Sequence, residues 1–200
     1  MTENQNYLEK TDEELVDLAL NGKDYFLYLM RRYEKKLLAY ILRISSFNHD
    51  DAEDILQEVF IKIYENLNDF DQDLKFSSWA YRITHNEVIS HYRKAKARPQ
   101  AAPLDLSDKV LANLSFDLDI REKVDLDYFK KSVKKILENL DIKYREVLVL
   151  RFFEEKNYKE ISDILKKPMG TVATLINRAK KEFREELDKQ KILPAQAGKI

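Results

Sequence analysis

Long stretches of this chain place apolar residues three and four positions apart, with few residues that would interrupt a helix. A helix period of 3.6 residues brings such residues onto one side. Only three glycines and four prolines occur among 200 residues, which leaves too few turn formers for many short strands. We therefore predict an all-α fold of a few long helices and exclude an all-β sandwich. The clearest stripe, in residues 24–44, is Phe26, Leu29, Met30, Tyr33, Leu37, Tyr40 and Ile41.

Three further helices are predicted in the first half of the chain. A capping box from Thr11 to Glu14 opens the first one, and Asn21–Gly22 ends it. Another opens at His49–Asp51, where acids suit the positive helix end, and continues through a second apolar stripe. The last runs from about Phe76 to about Ala97, shortly before Pro99 interrupts the chain.

A change in composition divides the chain. Between Pro99 and Asp127 there are seven acids and three bases, and the apolar residues are scattered. Unstructured segments this long are uncommon inside one compact domain. We predict one helical domain over residues 8–97, a linker over 98–127 with at most a helical turn around 107–114, a second helical domain over 128–188 and a frayed tail over 189–200.

Composition also excludes several classes of protein. No cysteine occurs, so disulfide scaffolds, thiolate zinc sites and cysteine catalysis are excluded. The N-terminus is polar and acidic, unlike a secretory signal, and no apolar run approaches the roughly 18 residues of a membrane helix. We expect a soluble, cytoplasmic protein that does not enter a membrane. Its net charge of −1 suggests little overall attraction to nucleic acid.

Residues 158–186 have the pattern of a helix-turn-helix. Pro168 and Gly170 indicate a short break, and either Gly170 or Thr171 is expected to cap the following helix. In that helix one side is apolar and the other is small, polar and basic, as in a helix that enters the major groove. An ordinary helical hairpin with a solvated basic side is the alternative. The predicted DNA-facing residues are Thr171, Ala173, Thr174, Asn177, Arg178 and Lys181.

The helix that begins near Phe76 combines aromatic and basic residues. Trp79, Ala80 and Ile83 form one apolar stripe, and a second stripe, which a small bundle need not bury, is Tyr81, His85, Val88 and Tyr92. Bases without an intervening acid follow at Arg93, Lys94, Lys96 and Arg98. Aromatic rings beside cations suit single-stranded DNA, since rings stack on bases and cations hold phosphates. The alternative is an aromatic core helix with a basic end.

Acidic residues are concentrated at the start of the preceding helix. The cluster comprises His49, Asp50, Asp51, Glu53, Asp54 and Glu58. A carboxylate metal site is one interpretation, in which Asp54 and Glu58 share a face. A solvated helix start is the other.

Two sets of motifs stand out, one in each predicted domain. The second domain contains residues 140–152, Tyr158-x-Glu160-Ile161, Pro168-x-Gly170-Thr171-Val172 and Asn177–Lys180. The first contains Asp51–Phe60 and Phe76-x-x-Trp79-x-Tyr81-Arg82-Ile83-x-x-Asn86. Together they resemble bacterial RNA polymerase sigma factors of the extracytoplasmic-function (ECF) subfamily. The second-domain set resembles region 4 of that family, Asp51–Phe60 its polymerase-binding helix, and the motif from Phe76 to Asn86 its promoter-opening helix. The motifs occur in the family's order, on both sides of the predicted linker.

The resemblance implies a transcription initiation factor and not an enzyme. Its partners would be core RNA polymerase, through the β′ and β subunits, promoter DNA and a regulatory anti-sigma factor, with no cofactor, metal or small-molecule substrate. The second domain would read the −35 element, and the acidic linker would run through the polymerase. Loop 66–75 would capture a flipped base of the −10 element. The residues implied in −10 recognition and promoter opening are Trp79, Tyr81, Arg82, His85, Asn86, Tyr92, Arg93 and Lys94. The residues implied in polymerase binding are Asp54, Gln57, Glu58 and Phe60.

Two other functions stay open at the level of sequence. One is a helix-turn-helix regulator with a helical sensory or dimerisation domain, which would bind duplex DNA without polymerase. The other is a metal-dependent helical hydrolase built on the acidic cluster.

Overall fold

The computed structural model describes Tyr7 and residues 9–45, 47–94, 107–118 and 126–190. All regular secondary structure in these ranges is helical, which confirms the predicted all-α class. The chain divides into two compact units, one formed mainly by residues before 103 and one mainly by residues after 102. In the described ranges, no helix is both long and apolar enough to cross a membrane.

The first unit consists of helices whose ends follow local capping rules. Its described helices are α1 Asp12–Asn21, α2 Phe26–Ile44, α3 His49–Glu65 and α4 Phe76–Lys94, with 3₁₀ turns at Lys23–Tyr25 and Leu67–Asp69. The Thr11 hydroxyl accepts a hydrogen bond from the Glu14 N–H at 3.1 Å, and the Glu14 carboxylate accepts one from the Thr11 N–H at 2.7 Å. This is the predicted capping box. At α3 the Asn48 side chain is the cap and accepts from the Asp51 N–H at 2.7 Å.

The core of the first unit is formed where α2, α3 and α4 pack against one another. Asp12 ties α1 to α2, because its carboxylate accepts hydrogen bonds from Arg32 at 2.7 Å and from the Tyr33 hydroxyl. The predicted stripes of α2 and α3 are buried except for Met30, which stays half-buried. Their buried members are Phe26, Leu29, Tyr33, Leu37, Tyr40, Ile41, Ala52, Ile55, Leu56, Val59, Phe60 and Ile63.

The second unit is built around its last helix. Its described helices are α5 Asp108–Asp117, α6 Leu126–Asn139, α7 Ile142–Leu148, α8 Tyr158–Leu165 and α9 Met169–Lys189, and α7 continues into a π-helical turn at Val149–Phe153. Helix α9 packs against α6 and α7, and α5 packs against the π-helical turn. The helix extends to Lys189, so it includes the first residue of the predicted tail, and residues 191–200 lie outside the described ranges.

Helix α5 lies inside the segment predicted as a linker, where only a helical turn was expected. The Ser107 side chain accepts a hydrogen bond from the Val110 N–H at 3.4 Å and so caps α5. One side of α5 is buried through Val110, Leu111 and Leu114, followed by Leu118. The helix is only ten residues long and lies in a segment rich in acids, which explains why periodicity alone did not reveal a packed helix. The last two residues of the predicted linker, Leu126 and Asp127, begin α6. Residues 98–106 and 119–125, Asp119 and Asp125 among them, lie outside the described ranges.

Candidate nucleic-acid and polymerase interfaces

Helix α9 separates an apolar side from a polar one as predicted. Val172, Ile176, Ala179 and Phe183 are at most 1% exposed. Because these residues recur every three or four positions, the opposite side of α9 is left to solvent. Of the predicted DNA-facing residues, Ala173 is half-buried, and the exposed ones are Thr171, Thr174, Asn177, Arg178 and Lys181.

The start of α9 differs from the prediction. The helix begins at Met169 with Pro168 as its N-cap, so neither Gly170 nor Thr171 caps it. Lys166 provides the turn before it, in a left-handed backbone conformation with φ of 52°. The turn is closed by the Ser162 hydroxyl, which donates to the Lys167 carbonyl at 2.5 Å. A Cβ placed on Gly170 would meet nothing within 4 Å, so the local backbone does not demand glycine there.

Lys180 and Lys181 of α9 are each paired with an acid of the same unit. The Lys180 ammonium lies 3.2 Å from the carboxylate of Asp117, the last residue of α5. The Lys181 ammonium lies 3.8 Å from Glu185, one turn further along α9. Lys180 follows Asn177 by three positions and Ala173 by seven, so it continues the predicted DNA-facing side. Asp117 therefore occupies the place beside the Lys180 ammonium.

Phe76, Trp79 and Tyr81 of α4 are core residues, whereas Tyr92 is exposed. The prediction that the second stripe stays unburied is therefore wrong for Tyr81, His85 and Val88. Trp79 is 6% exposed, with its ring 5.4 Å from that of Phe70 and 5.7 Å from that of Phe76. The Tyr81 ring lies 5.0 Å from that of Tyr40 on α2.

His85 belongs to the same buried layer. Its Nδ1 is 3.2 Å from the Tyr40 hydroxyl, and the residue is 7% exposed. The expectation of exposure was wrong because α2 covers the side of α4 that the other helices leave open. In this arrangement Trp79, Tyr81 and His85 are therefore not available to DNA.

The remaining predicted residues of α4 form an accessible polar surface. Arg82 is half-buried, and Asn86, Tyr92, Arg93 and Lys94 are exposed. Arg82, Asn86 and Arg93 follow one another at helical spacing and so share one side of α4. Lys96 and Arg98, which belong to the same basic run, lie outside the described residues.

Loop 66–75 exposes polar side chains while its apolar residues pack into the first unit. Leu67 and Phe70 are buried, whereas Asn68, Asp71 and Asp73 are exposed. The Gln72 amide donates to the Asp17 carboxylate of α1 at 2.6 Å, which holds the loop against the helix. The loop predicted to capture a base is therefore held in place by buried apolar residues and exposes its polar side chains to solvent.

Three of the four predicted polymerase-binding residues lie on the exposed side of α3. Asp54, Gln57 and Glu58 are exposed, whereas Phe60 is only 7% exposed and belongs mainly to the core. Beside them α2 and α3 enclose a groove of about 820 Å³. Exposed apolar side chains line it, and the prediction missed these residues: Leu27, Ile61 and Tyr64.

An ionic network joins this side of α3 to α4. The His91 Nε2 lies 3.0 Å from the Glu58 carboxylate and 3.5 Å from the Glu87 carboxylate, and Lys62 donates to Glu87. The hydrogen bond from His91 lowers the pKa of Glu58, so Glu58 keeps its charge to lower pH.

The groups of potential metal ligands do not match the predicted pair. Within the described residues they are His49, Asp50 and Glu53 in one group and Glu58, Glu87 and His91 in the other. Asp54, which the hydrolase hypothesis paired with Glu58, is in neither group.

Comparison with known proteins matches two parts of the chain to known families. The Sigma-70 region 2 family matches residues 29–98, and the Sigma-70 region 4 family matches residues 130–183. The ECF RNA polymerase sigma factor SigW of Bacillus subtilis is 34% identical over 82% of this chain and 90% of its own length. The RNA polymerase sigma-H factor of Pseudomonas aeruginosa is 32% identical, over 90% of this chain and 94% of its own.

The chain belongs to the ECF sigma factor family. It is a transcription initiation factor whose partners are core RNA polymerase and promoter DNA. A solved structure of CnrH in complex with the cytosolic domain of CnrY has the same fold, with a TM-score of 0.65 and 25% identity. That match covers 90% of this sigma factor and 99% of the CnrH chain. Neither the regulator without polymerase nor the metal-dependent hydrolase is favoured by these matches.

Proposed function

We propose that the sigma factor docks on core polymerase through the exposed side of α3 together with the groove beside it. The observation that carries this proposal is the position of Asp54, Gln57 and Glu58 next to the exposed apolar side chains of Ile61 and Tyr64. Apolar side chains supply contact area, and the carboxylates supply charge complementarity and register. The partner surface is a helix that offers basic and apolar residues together.

The proposed docking surface is tested by measuring affinity for core polymerase. Ile61→Asp places a charge in the groove at a residue that is 57% exposed, so the fold should survive. We expect at least tenfold weaker binding, since about 1.4 kcal/mol corresponds to a factor of ten. Leu20→Asp is the matched control, because Leu20 is 41% exposed on α1 and does not line the groove. Equal affinities for the two variants would contradict the proposed surface.

We further propose that the two DNA elements are read by different units. The exposed side of α9 would enter the major groove of the −35 duplex, supported by its small, polar and basic residues. The polar surface of α4 with loop 66–75 would hold the opened −10 strand, supported by Arg82, Asn86 and Arg93 on one side of the helix. Trp79, Tyr81 and His85 would support that surface from the core. The sigma factor would act in the cytoplasm and leave the chemistry of RNA synthesis to the polymerase.

We also propose an anti-sigma factor as a regulator. Support comes from CnrH, whose solved structure contains the cytosolic domain of CnrY. A tagged sigma factor should be recovered from its native cells in a stoichiometric complex with a protein that is not a polymerase subunit. Recovery with polymerase alone under all growth conditions would contradict this.

A further inference from the structure

Four charged or titratable side chains form a ladder between α3 and α4. Glu58 and Lys62 are one helical turn apart on α3, and Glu87 and His91 are one turn apart on α4. His91 contacts both carboxylates through Nε2, at 3.0 Å to Glu58 and 3.5 Å to Glu87, and Lys62 donates to the second oxygen of Glu87. Each helix thus contributes one acid and one basic or ring-nitrogen partner.

Burial differs strongly along this ladder. The Glu87 side chain is 6% exposed and contacts both Lys62 and His91. The His91 side chain is 27% exposed, the Lys62 side chain 48% and the Glu58 side chain 49%. Glu87 is therefore the buried member of the ladder, and Lys62 and Glu58 are its two solvent-facing ends. His91 joins Glu58 to the buried Glu87.

We propose that His91 is a positioning residue for polymerase docking, which acts by holding the Glu58 carboxylate in one orientation on α3. This inference rests on the proposed docking surface, of which Glu58 is part. A free glutamate on a helix surface samples several rotamers and loses that freedom when it binds. The contact of His91 with one Glu58 oxygen restricts those rotamers beforehand, while the Glu58 side chain remains 49% exposed and accessible to the polymerase.

Through His91, helix α4 would also contribute to polymerase docking. Arg93 and Lys94, in the proposed −10 surface, lie two and three positions after His91 in the last turn of α4. Helix α4 thus carries two kinds of side chain: His91, which orients a polymerase contact, and the cations that would bind the promoter strand.

A double-mutant cycle on polymerase affinity tests this role. His91→Phe keeps a ring of similar size but removes the donor, and we expect about fivefold weaker binding. In the Glu58→Gln background the same change should have almost no further effect. His91→Gln retains an N–H donor and should restore most of the affinity. His49→Phe is the matched control, since His49 forms the same kind of contact with Glu53 on α3, at 3.4 Å, away from Glu58.

The outcomes separate this inference from the proposed docking surface. If Glu58→Gln alone leaves polymerase affinity unchanged, Glu58 is not a docking residue and both proposals fail at that position. If Glu58→Gln weakens binding but His91→Phe does not, or the two effects multiply, the docking residue stands and the positioning role is overturned. Thermal unfolding monitored by Trp79 fluorescence measures any loss of fold in each variant. Failure of His91→Gln to restore affinity, with the fold intact, would also overturn the role.

Discussion

Replacing Trp79 by alanine separates a core residue from a DNA contact. Trp79 is 6% exposed, and its ring packs against those of Phe70 and Phe76. Removal of a buried aromatic ring costs about 3–5 kcal/mol through lost transfer energy and an unfilled cavity. Whole domains are stable by only about 5–15 kcal/mol, so the first unit should lose much of its stability. Because about 1 kcal/mol moves the midpoint of a domain of this size by about 4–8 °C, we expect a fall of about 12 °C or more.

Far-UV circular dichroism measures this loss, since Trp79 is the only tryptophan and its fluorescence disappears with it. Hydrogen exchange should locate the loss in α4 and loop 66–75, which contribute the Phe76 and Phe70 rings that pack against Trp79. Trp79→Phe keeps an aromatic ring and should lose less stability. Tyr92→Ala, at a residue that is 42% exposed on the same helix, should leave the midpoint nearly unchanged. It should instead impair opening of duplex promoters more than binding of pre-melted ones.

The refuting result is specific. If Trp79→Ala unfolds within about 2 °C of the wild type, a shift below 1 kcal/mol, then its ring is not a core element. If that variant also fails on duplex promoters and recovers on pre-melted ones, Trp79 contacts the opened strand as the family resemblance implies. Transcription has to be compared below the unfolding midpoint of every variant, so that loss of fold is not counted as loss of opening.

Three further changes test other parts of the molecule. Arg178→Ala should weaken binding of a −35 duplex by about 1–3 kcal/mol and relax its sequence preference, measured by competition with altered duplexes; unchanged selectivity would refute the assigned DNA-facing side. Asp117→Asn should strengthen −35 binding by freeing Lys180, and weaker binding would show that the ion pair supports the DNA-bound form instead. Burial raises the pKa of Glu146 above its model-peptide value of 4.5, against the opposing effect of Lys167. The folded state therefore holds this proton more tightly than the unfolded state. The resulting stability is complete below about pH 4.5 and is lost as pH rises through the folded pKa. The difference in stability between wild type and Glu146→Gln should change across that window, and a constant difference would contradict the raised pKa.

Local patterns were sufficient for most of the helices. The capping box at Thr11, the stripes of α2 and α3 and the apolar side of α9 depend only on residues within a few positions of one another. The turn before α9 was not found by the same rules, because Lys166 takes the left-handed conformation that usually signals glycine. Gly170, which was predicted to mark the break or to cap the following helix, lies within α9 instead.

Contacts between residues far apart in the chain could not be predicted from the sequence. Burial of Tyr81 and His85 depends on Tyr40, which lies more than forty positions away on α2. The groove beside α3 exists because Leu27 of one helix comes next to Ile61 of another. Ile61 could have indicated an exposed apolar surface, since it is an apolar residue outside the buried stripe of α3. Neither periodicity nor composition indicates which helix faces which, so core and binding roles for the same aromatic residue could not be separated.

The distribution of charge explains how a nearly neutral protein can serve a DNA-binding function. The net charge of −1 gives no long-range attraction to a promoter. On α9 the ammonium groups of Lys180 and Lys181 already lie near Asp117 and Glu185, so fewer cations are free to release counterions from DNA. Each phosphate contact contributes a slope of about −0.9 to the salt dependence of binding, and a chain with few such contacts binds weakly when free. If α9 reads the −35 element as proposed, docking on polymerase would offset this weak binding, because it raises the effective concentration of α9 at that element without adding any contact. Specificity would then come from the few base contacts of α9, and the paired cations would keep the free sigma factor from competing non-specifically for DNA.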